Sequence, residues 1–455
     1  MTNMLKKASE IIDLFQDYYC RPDGLLGRKA DCINGYLLDS TSLVDEIGDY
    51  CQYCIQLGQD INSQNYIDWG LNQVTDNINK FQNDDGLIYN KDHQNQKTMI
   101  FFPTLRMGDT FWGLQETFRL TGNNKIKKSF DKLSNTILKY GLCDQVPSYG
   151  ICRFGKYFYP LPIAEPMTSG YLGESLIEMY KTTGDEAYLN SARKILESWQ
   201  PLVDKDKSVV FLRKTSGEDN YILKWILNKQ FKLRGRPSLY SNILTKGDVF
   251  LLFAWLALYR INKDPAIKKH LSNWVDYIDT SMTTNDGRFF NHYDVKSGKK
   301  YSVKLEENHS IIELLIDISV EFKNKKALDI AMNCALSWYK NRSAIGLVAN
   351  TDKDYWAEID PFLDLLVNIA KLRELSKDTR LDELFEEGIS SLLKNFKVEY
   401  GYVQKVKLDG SGPINGNIEL KYMGLLIKGL IITNAVQNRI SLFESRKIRL
   451  LATDR

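Results

Sequence analysis

Carboxylates recur in this sequence where apolar runs begin. They are Asp45, Glu46 and Asp49; Asp109; Glu165; Asp248; Glu306 and Glu307; Glu358 and Asp360; and Glu419. Two carboxyls at a fixed separation, one protonated and one ionised, can act as general acid and general base on one bond. Inverting hydrolysis of a glycosidic bond is such a reaction, with the two groups about 6.5–9.5 Å apart. A plainer reason also puts acids at helix starts: a carboxylate caps free N–H groups and complements the helix dipole. Capping explains any single one of them. The recurrence as a set suggests a site.

Five residues stand out as candidates for chemistry. Asp109 lies between Arg106 and Trp112, so a cation and an aromatic platform are close in sequence. Asp248 follows Lys246-Gly247 in the matching place two repeats on. Asp360 precedes Pro361, which suits a first helical turn and strengthens the capping reading. Glu307 and His309 flank Asn308 at another helix start. Histidine occurs only at positions 93, 270, 292 and 309, and His309 alone falls at such an entrance. Trp112, Tyr171, Trp356 and Tyr422 are placed to stack on the C–H faces of a sugar. Arg106, Lys246 and Asn308 supply polar contacts. Trp255 and Trp338 read as core.

A repeat positions these residues. Apolar helices begin near Leu43, Gly108, Ser169, Gly247, Asn308, Asp360 and Glu419. More polar partners fall at Leu5–Tyr19, Tyr66–Phe81, Lys125–Leu138, Glu186–Trp199, Ala266–Ile278, Lys325–Trp338 and Arg380–Leu393. The joints read Thr121-Gly122-Asn123, Thr183-Gly184-Asp185, Asn262-Lys263-Asp264 and Ser376-Lys377-Asp378. Glycine suits the end of one helix, and Asn or Asp the cap of the next. Short strand-like pieces precede the apolar helices, several opened by Asp-Gly, as at Asp23-Gly24, Asp85-Gly86 and Asp286-Gly287. A helix apolar nearly all round must be buried on all sides, and a one-faced helix can cover it. Repetition of that pair predicts an all-α toroid of six or seven hairpins, seven favoured, spanning residues 1–437. Residues 438–455 form a basic surface tail. The inner helices then run parallel, and their N-termini open on one mouth beside short β-hairpin excursions. The longest excursion, Asp204 to Leu244, interleaves Lys224, Lys229, Lys232, Arg234 and Arg236 with Trp225, Phe231 and Tyr240.

The totals exclude some classes. Lys and Arg number 60 and Asp and Glu 57, so the net charge is only +3, and nucleic acid is not an expected partner. No apolar run is long enough for a membrane span. The N-terminus lacks the pattern of a secretory signal, and the seven cysteines are scattered, which together suggest a reducing cytoplasmic setting. Cys51 and Cys54 sit in a helical pattern and read as buried thiols; no metal or other cofactor is expected. Oligomeric state is not legible.

The phrase Thr183-Gly184-Asp185-Glu186-Ala187-Tyr188-Leu189, repeated in looser form, resembles the (α/α) toroid carbohydrate enzymes. That group includes six- and seven-hairpin glycosidases, sugar 2-epimerases, uronate lyases and uronyl C5-epimerases. The resemblance is architectural and covers most of the chain. It implies an oligosaccharide or glycan substrate. It also frames two chemistries: a hydrolase using Asp109, Asp248, Glu307 or Asp360, or a lyase or epimerase using Asn308, His309 and a phenol from Tyr293 or Tyr301. A non-catalytic helical binding scaffold is the third reading.

Overall fold

The structure is a computed structural model. It describes residues 3–89, 100–102, 107–143, 145–161, 163–164, 166–203, 214–215, 242–294 and 297–443. Within these, fourteen α-helices alternate between two layers. The outer layer holds α1 (Asn3–Leu14), α3 (Gln64–Phe81), α5 (Asn124–Tyr140), α7 (Glu186–Glu197), α9 (Pro265–Tyr277), α11 (Lys325–Lys340) and α13 (Arg380–Asn395). The inner layer holds α2 (Cys51–Asp60), α4 (Gly108–Thr121), α6 (Pro166–Thr183), α8 (Thr245–Asn262), α10 (Leu305–Phe322), α12 (Ile359–Ser376) and α14 (Leu420–Gln437). Each inner helix packs on the next, and α14 packs back on α2, so the ring closes with seven hairpins. The first outer helix, α1, covers α14, the last inner one.

The reason for two layers lies in the side chains. In α8 the run Val249 to Leu258 is buried without a break. In α5 the buried residues Ile126, Phe130, Leu133 and Ile137 follow one helical face. The joints follow the capping logic. Gly122, Gly184, Lys263 and Lys377 all adopt left-handed φ between 54° and 75°. Asn123, Asp185 and Asp264 then accept from backbone N–H groups two residues on. Lys323-Asn324 is a further joint of the same kind, at φ 52°.

At the other end, each Asp-Gly excursion is a tight turn closed by one isolated bridge. Gly24, Gly86, Gly287 and Gly346 take φ of 80–90°, and the bridges Cys20–Leu26, Gln82–Ile88 and Thr283–Phe289 pinch three of these turns. Small antiparallel sheets lie beyond. One joins Lys29–Asp31 to Asn417–Glu419 with Lys29 opposite Glu419, and so ties the chain's two ends across the ring seam.

The inner helices approach closely. A Cβ on Gly113 would sit 2.6 Å from the Gly48 nitrogen, and one on Gly170 would collide with the Phe250 backbone. Only glycine allows those helices to meet. The first inner helix starts later than expected. Residues Val44–Asp49 form a 3-10 stretch, broken at Glu46 with φ −131° and ψ 24°, and the α-helix begins at Cys51. Conversely α6 and α10 begin earlier than their apolar runs, because Pro166 and Leu305 open them. Cys51 and Cys54 are buried free thiols, and burial pushes both up. Among the described residues, no helix is long and apolar enough to cross a membrane.

Candidate active site

Parallel inner helices rise 1.5 Å per residue, so residues at equal depth form tiers around the axis. The top tier on one side of the mouth holds Glu46, Asp109, Asp360 and Lys421. Arg28 donates to Glu46 at 2.9 Å, and Lys421 donates to the other oxygen of Glu46 at 3.1 Å. Just below lies Asp49, only 8% exposed. Its place is set by packing. The Asp109 carbonyl abuts Gly48, and the Asp49 carbonyl abuts Gly424 of α14.

Asp49 is a strongly perturbed carboxyl. Burial pushes it well above the usual carboxylate range, and the charge of Asp109 adds to that, with smaller contributions from Glu46 and Asp360. Lys421 acts in the opposite direction. Burial also disfavours the Lys421 charge, but Glu46, Tyr422, Asp49 and Asp360 outweigh it and hold the ammonium charged. A carboxyl that holds its proton more tightly than usual therefore stands among other acids near the mouth. That is the condition for a general acid at neutral pH.

A neighbouring set comes from the loop before α12 and from α14. Gln404 donates to Glu358 at 2.6 Å and lies 3.2 Å from the Tyr422 hydroxyl. Burial raises Glu358, with Lys405 and Gln404 pulling it back. Burial likewise raises the Tyr422 phenol. Lys405 sits 4.0 Å over the Trp356 ring, so one face of that platform is occupied.

His309 faces the axis from α10. Its Nδ1 lies 3.4 Å from Asp364 of α12, and the other oxygen of Asp364 accepts from Lys428 of α14 at 2.9 Å. The Ser310 hydroxyl is also 3.4 Å from Nδ1. Asn368 donates to the His309 carbonyl at 2.8 Å, and Lys371 pairs with Glu313 at 3.0 Å one turn deeper. Deeper still, Arg260 meets Asp317 at 3.5 Å, Arg119 meets Glu116 at 2.8 Å and Lys181 meets Glu178 at 2.6 Å. Ion pairs thus continue down the inner helices below the mouth.

Two expected site residues are buried. Asn308 is fully buried and faces the outer layer. Its carbonyl oxygen accepts from Phe289 N–H at 2.8 Å and from Trp338 Nε1 at 3.0 Å. Its amide donates to the Phe289 carbonyl at 2.9 Å and to Asn291 at 3.1 Å. It stitches a mouth turn to α11, and its expected contact with substrate is corrected on that ground. Asn308→Ala is expected to cost about 3 kcal/mol in urea unfolding, because two buried donors lose their acceptor. Asp248 is 1% exposed and occupies the same fourth position of its helix as Asn308. It lies two turns before Trp255, whose ring rests 5.6 Å from that of His270 on α9. Asp248 lies two turns from the Trp255 face of α8, and we read it as a residue of the wall between layers.

The remaining candidates are divided. Asp109, Asp360, Trp112, Tyr171, Trp356 and Tyr422 are half-buried near the inner-helix starts. Tyr171 packs on Phe250, with ring centroids 4.6 Å apart. Glu307 is half-buried beside Asn308. Arg106, Glu165 and His93, the side chains of Lys246 and Asp45, and most of the Asp204–Leu244 excursion lie outside the described residues. Sequence reasoning passed over Asp364, Lys428, Glu313 and Lys371. Their only signal is a lone charge inside an apolar helix.

No protein-family model matches the sequence, and no curated relative was found for it. Solved structures do match. D-mannose isomerase aligns over 94% of this chain and 97% of its own, with a TM-score of 0.57 and 10% identity. Cellobiose 2-epimerase from Bacillus thermoamylovorans aligns over 95% and 100%, with a TM-score of 0.57 and 12% identity. A family 76 glycoside hydrolase from a bovine Bacteroides thetaiotaomicron strain aligns over 96% and 78%, with a TM-score of 0.54 and 12% identity. This chain has their fold. The expected (α/α) toroid of the carbohydrate enzymes is borne out at that level. Identity this low transfers no residue role.

Proposed function

We propose that the protein is an enzyme acting on a glycan or oligosaccharide, and that it hydrolyses a glycosidic bond with its mouth carboxyls. One arrangement supports this reading: Asp49 is buried beside Asp109 and Asp360, and burial and those neighbouring carboxyls push it well above the usual carboxylate range. Asp49 gives its proton to the departing glycosidic oxygen as the C–O bond breaks. Asp109 or Asp360 takes a proton from the water whose oxygen forms the new bond to carbon. Trp112, Tyr171 and Tyr422 flank the sugar, and Lys421 pairs with Glu46. The neighbouring structures include an inactive α-1,6-mannanase variant in complex with α-1,6-mannotetrose, which supports an oligosaccharide-sized ligand on this fold.

The contact between His309 and Asp364 favours a second reading, a sugar isomerase or 2-epimerase. His309 would remove the proton α to the carbonyl of an open-chain sugar and return it. The lyase form of that reading loses its amide, since Asn308 is engaged elsewhere. Mass spectrometry of products from neutral and uronate-containing oligosaccharides in H₂¹⁸O tests both. Hydrolysis is expected to place one ¹⁸O in the released reducing end. Deuterium uptake from heavy water without cleavage would overturn hydrolysis in favour of the second reading.

A further inference from the structure

Inside the ring, three consecutive inner helices contribute one side chain each to a single chain of contacts. His309 comes from α10, Asp364 from α12 and Lys428 from α14. None of the three is exposed, and Lys428 is only 2% so. The Asp364 carboxylate is therefore shared: one oxygen faces the imidazole and the other the ammonium. A lysine this deep costs several kcal/mol in desolvation unless a carboxylate meets it. The Lys428 ammonium at 2.9 Å favours the charged form of Asp364, and a carboxylate facing Nδ1 favours the tautomer with the proton there.

We infer that Asp364, held by Lys428, is a positioning residue that fixes His309 as the Nδ1–H tautomer, with the lone pair on Nε2. The consequence is that His309 acts as a base through Nε2, with the imidazolium that forms stabilised by Asp364. This deepens the second reading above and rests on it for its catalytic meaning. The geometry contains a rival, which makes the inference testable. The Ser310 hydroxyl stands at the same 3.4 Å from Nδ1 and would, as a donor, demand the opposite tautomer. Asp364 is favoured because a charged acceptor outweighs a neutral donor at equal distance. A 3.4 Å contact is long for a hydrogen bond, as such contacts often are before substrate binds.

Selective ¹⁵N-histidine labelling of the full chain reads the tautomer directly. The sequence has four histidines, so the spectrum is sparse, and His309→Gln assigns the relevant signals. The expected result above the titration range is a pyrrole-type Nδ1 and a pyridine-type Nε2. In Asp364→Asn those two shifts are expected to move toward each other. Because that variant leaves Lys428 without its anion, the double variant Asp364→Asn/Lys428→Met provides a folded comparison. Ser310→Ala is expected to change neither shift. An Nε2–H tautomer in the wild type, or shifts that respond to Ser310→Ala and ignore Asp364→Asn, would overturn the inference. Deuterium exchange into a sugar tests the function separately. If His309 is the base, Asp364→Asn is expected to slow that exchange about 10²-fold with little change in KM. An Nδ1–H tautomer without any exchange would leave the positioning intact and sink the isomerase reading alone.

Discussion

Replacing Asp49 with asparagine is expected to lower kcat by about 10²- to 10⁴-fold, the usual contribution of a general acid. The protein is expected to stay folded. Burial and the Asp109 charge favour the neutral form of Asp49, so a neutral amide of the same shape is expected to leave the charge balance of the mouth undisturbed. Asp109→Asn is expected to lose activity to a similar degree, since it removes a proposed acceptor of the water proton. The pH profile separates the two. With Asp49 as the acid, activity falls as pH rises through its raised pKa, and that alkaline limb vanishes in Asp49→Asn. Lys421→Met gives a directional check. Lys421 is the group that pulls Asp49 downward, so its removal is expected to move the alkaline limb to higher pH. Steady-state rates from pH 4 to 10 on a cleaved oligosaccharide measure all three. An Asp49→Asn enzyme with wild-type kcat would end the acid assignment.

Much of this architecture was legible because helix boundaries are written in local chemistry. The joint Thr183-Gly184-Asp185 states its geometry outright: a left-handed glycine, then an acid whose side chain accepts from Ala187 N–H. Such joints mark where an inner helix hands over to the outer helix that covers the ring. The Cys51–Cys54 pair was legible for the same reason, since its surroundings repeat with a helical period.

The site was legible only in part. Asp45, Glu46 and Asp49 are three acids in five residues, and no rule of spacing selects among them. The selection comes from the break at Glu46 and the close approach of Gly48 to α4, which are tertiary facts. Asn308 misled because a mouth position does not decide which way a side chain points. At the fourth residue of α10 the side chain turns toward the outer layer, where Asn308 finds Trp338. Asp364 and Lys428 are the opposite case. Each is a single charge in an apolar helix, and only the side-by-side packing of α12 and α14 lets one neutralise the other.

The wall position of Asp248 leads to the second large effect, on stability. Neither of its carboxyl oxygens has a hydrogen-bond partner among the described residues, and burial pushes the group well above the usual range. The sign follows from proton linkage. Between its unfolded and folded pKa values the native state keeps a proton that the unfolded chain releases. Stability is therefore lost as pH rises above about 4, at about 1.4 kcal/mol per pH unit, until the folded pKa is reached. Asparagine has no proton to release, so Asp248→Asn is expected to match wild type at pH 4 and to exceed it increasingly toward pH 8. Asn308 shows that an amide is accommodated at the equivalent position of α10. Urea unfolding at pH 4, 6 and 8 measures the difference. An offset independent of pH would show that Asp248 is not held protonated in the fold. Activity gives the independent reading, because a wall residue can be replaced without loss of turnover. If Asp248→Asn were more stable and yet a hundredfold slower, the side chain would have to reach the mouth, and the division of the helix into a mouth face and a wall face would have to be redrawn.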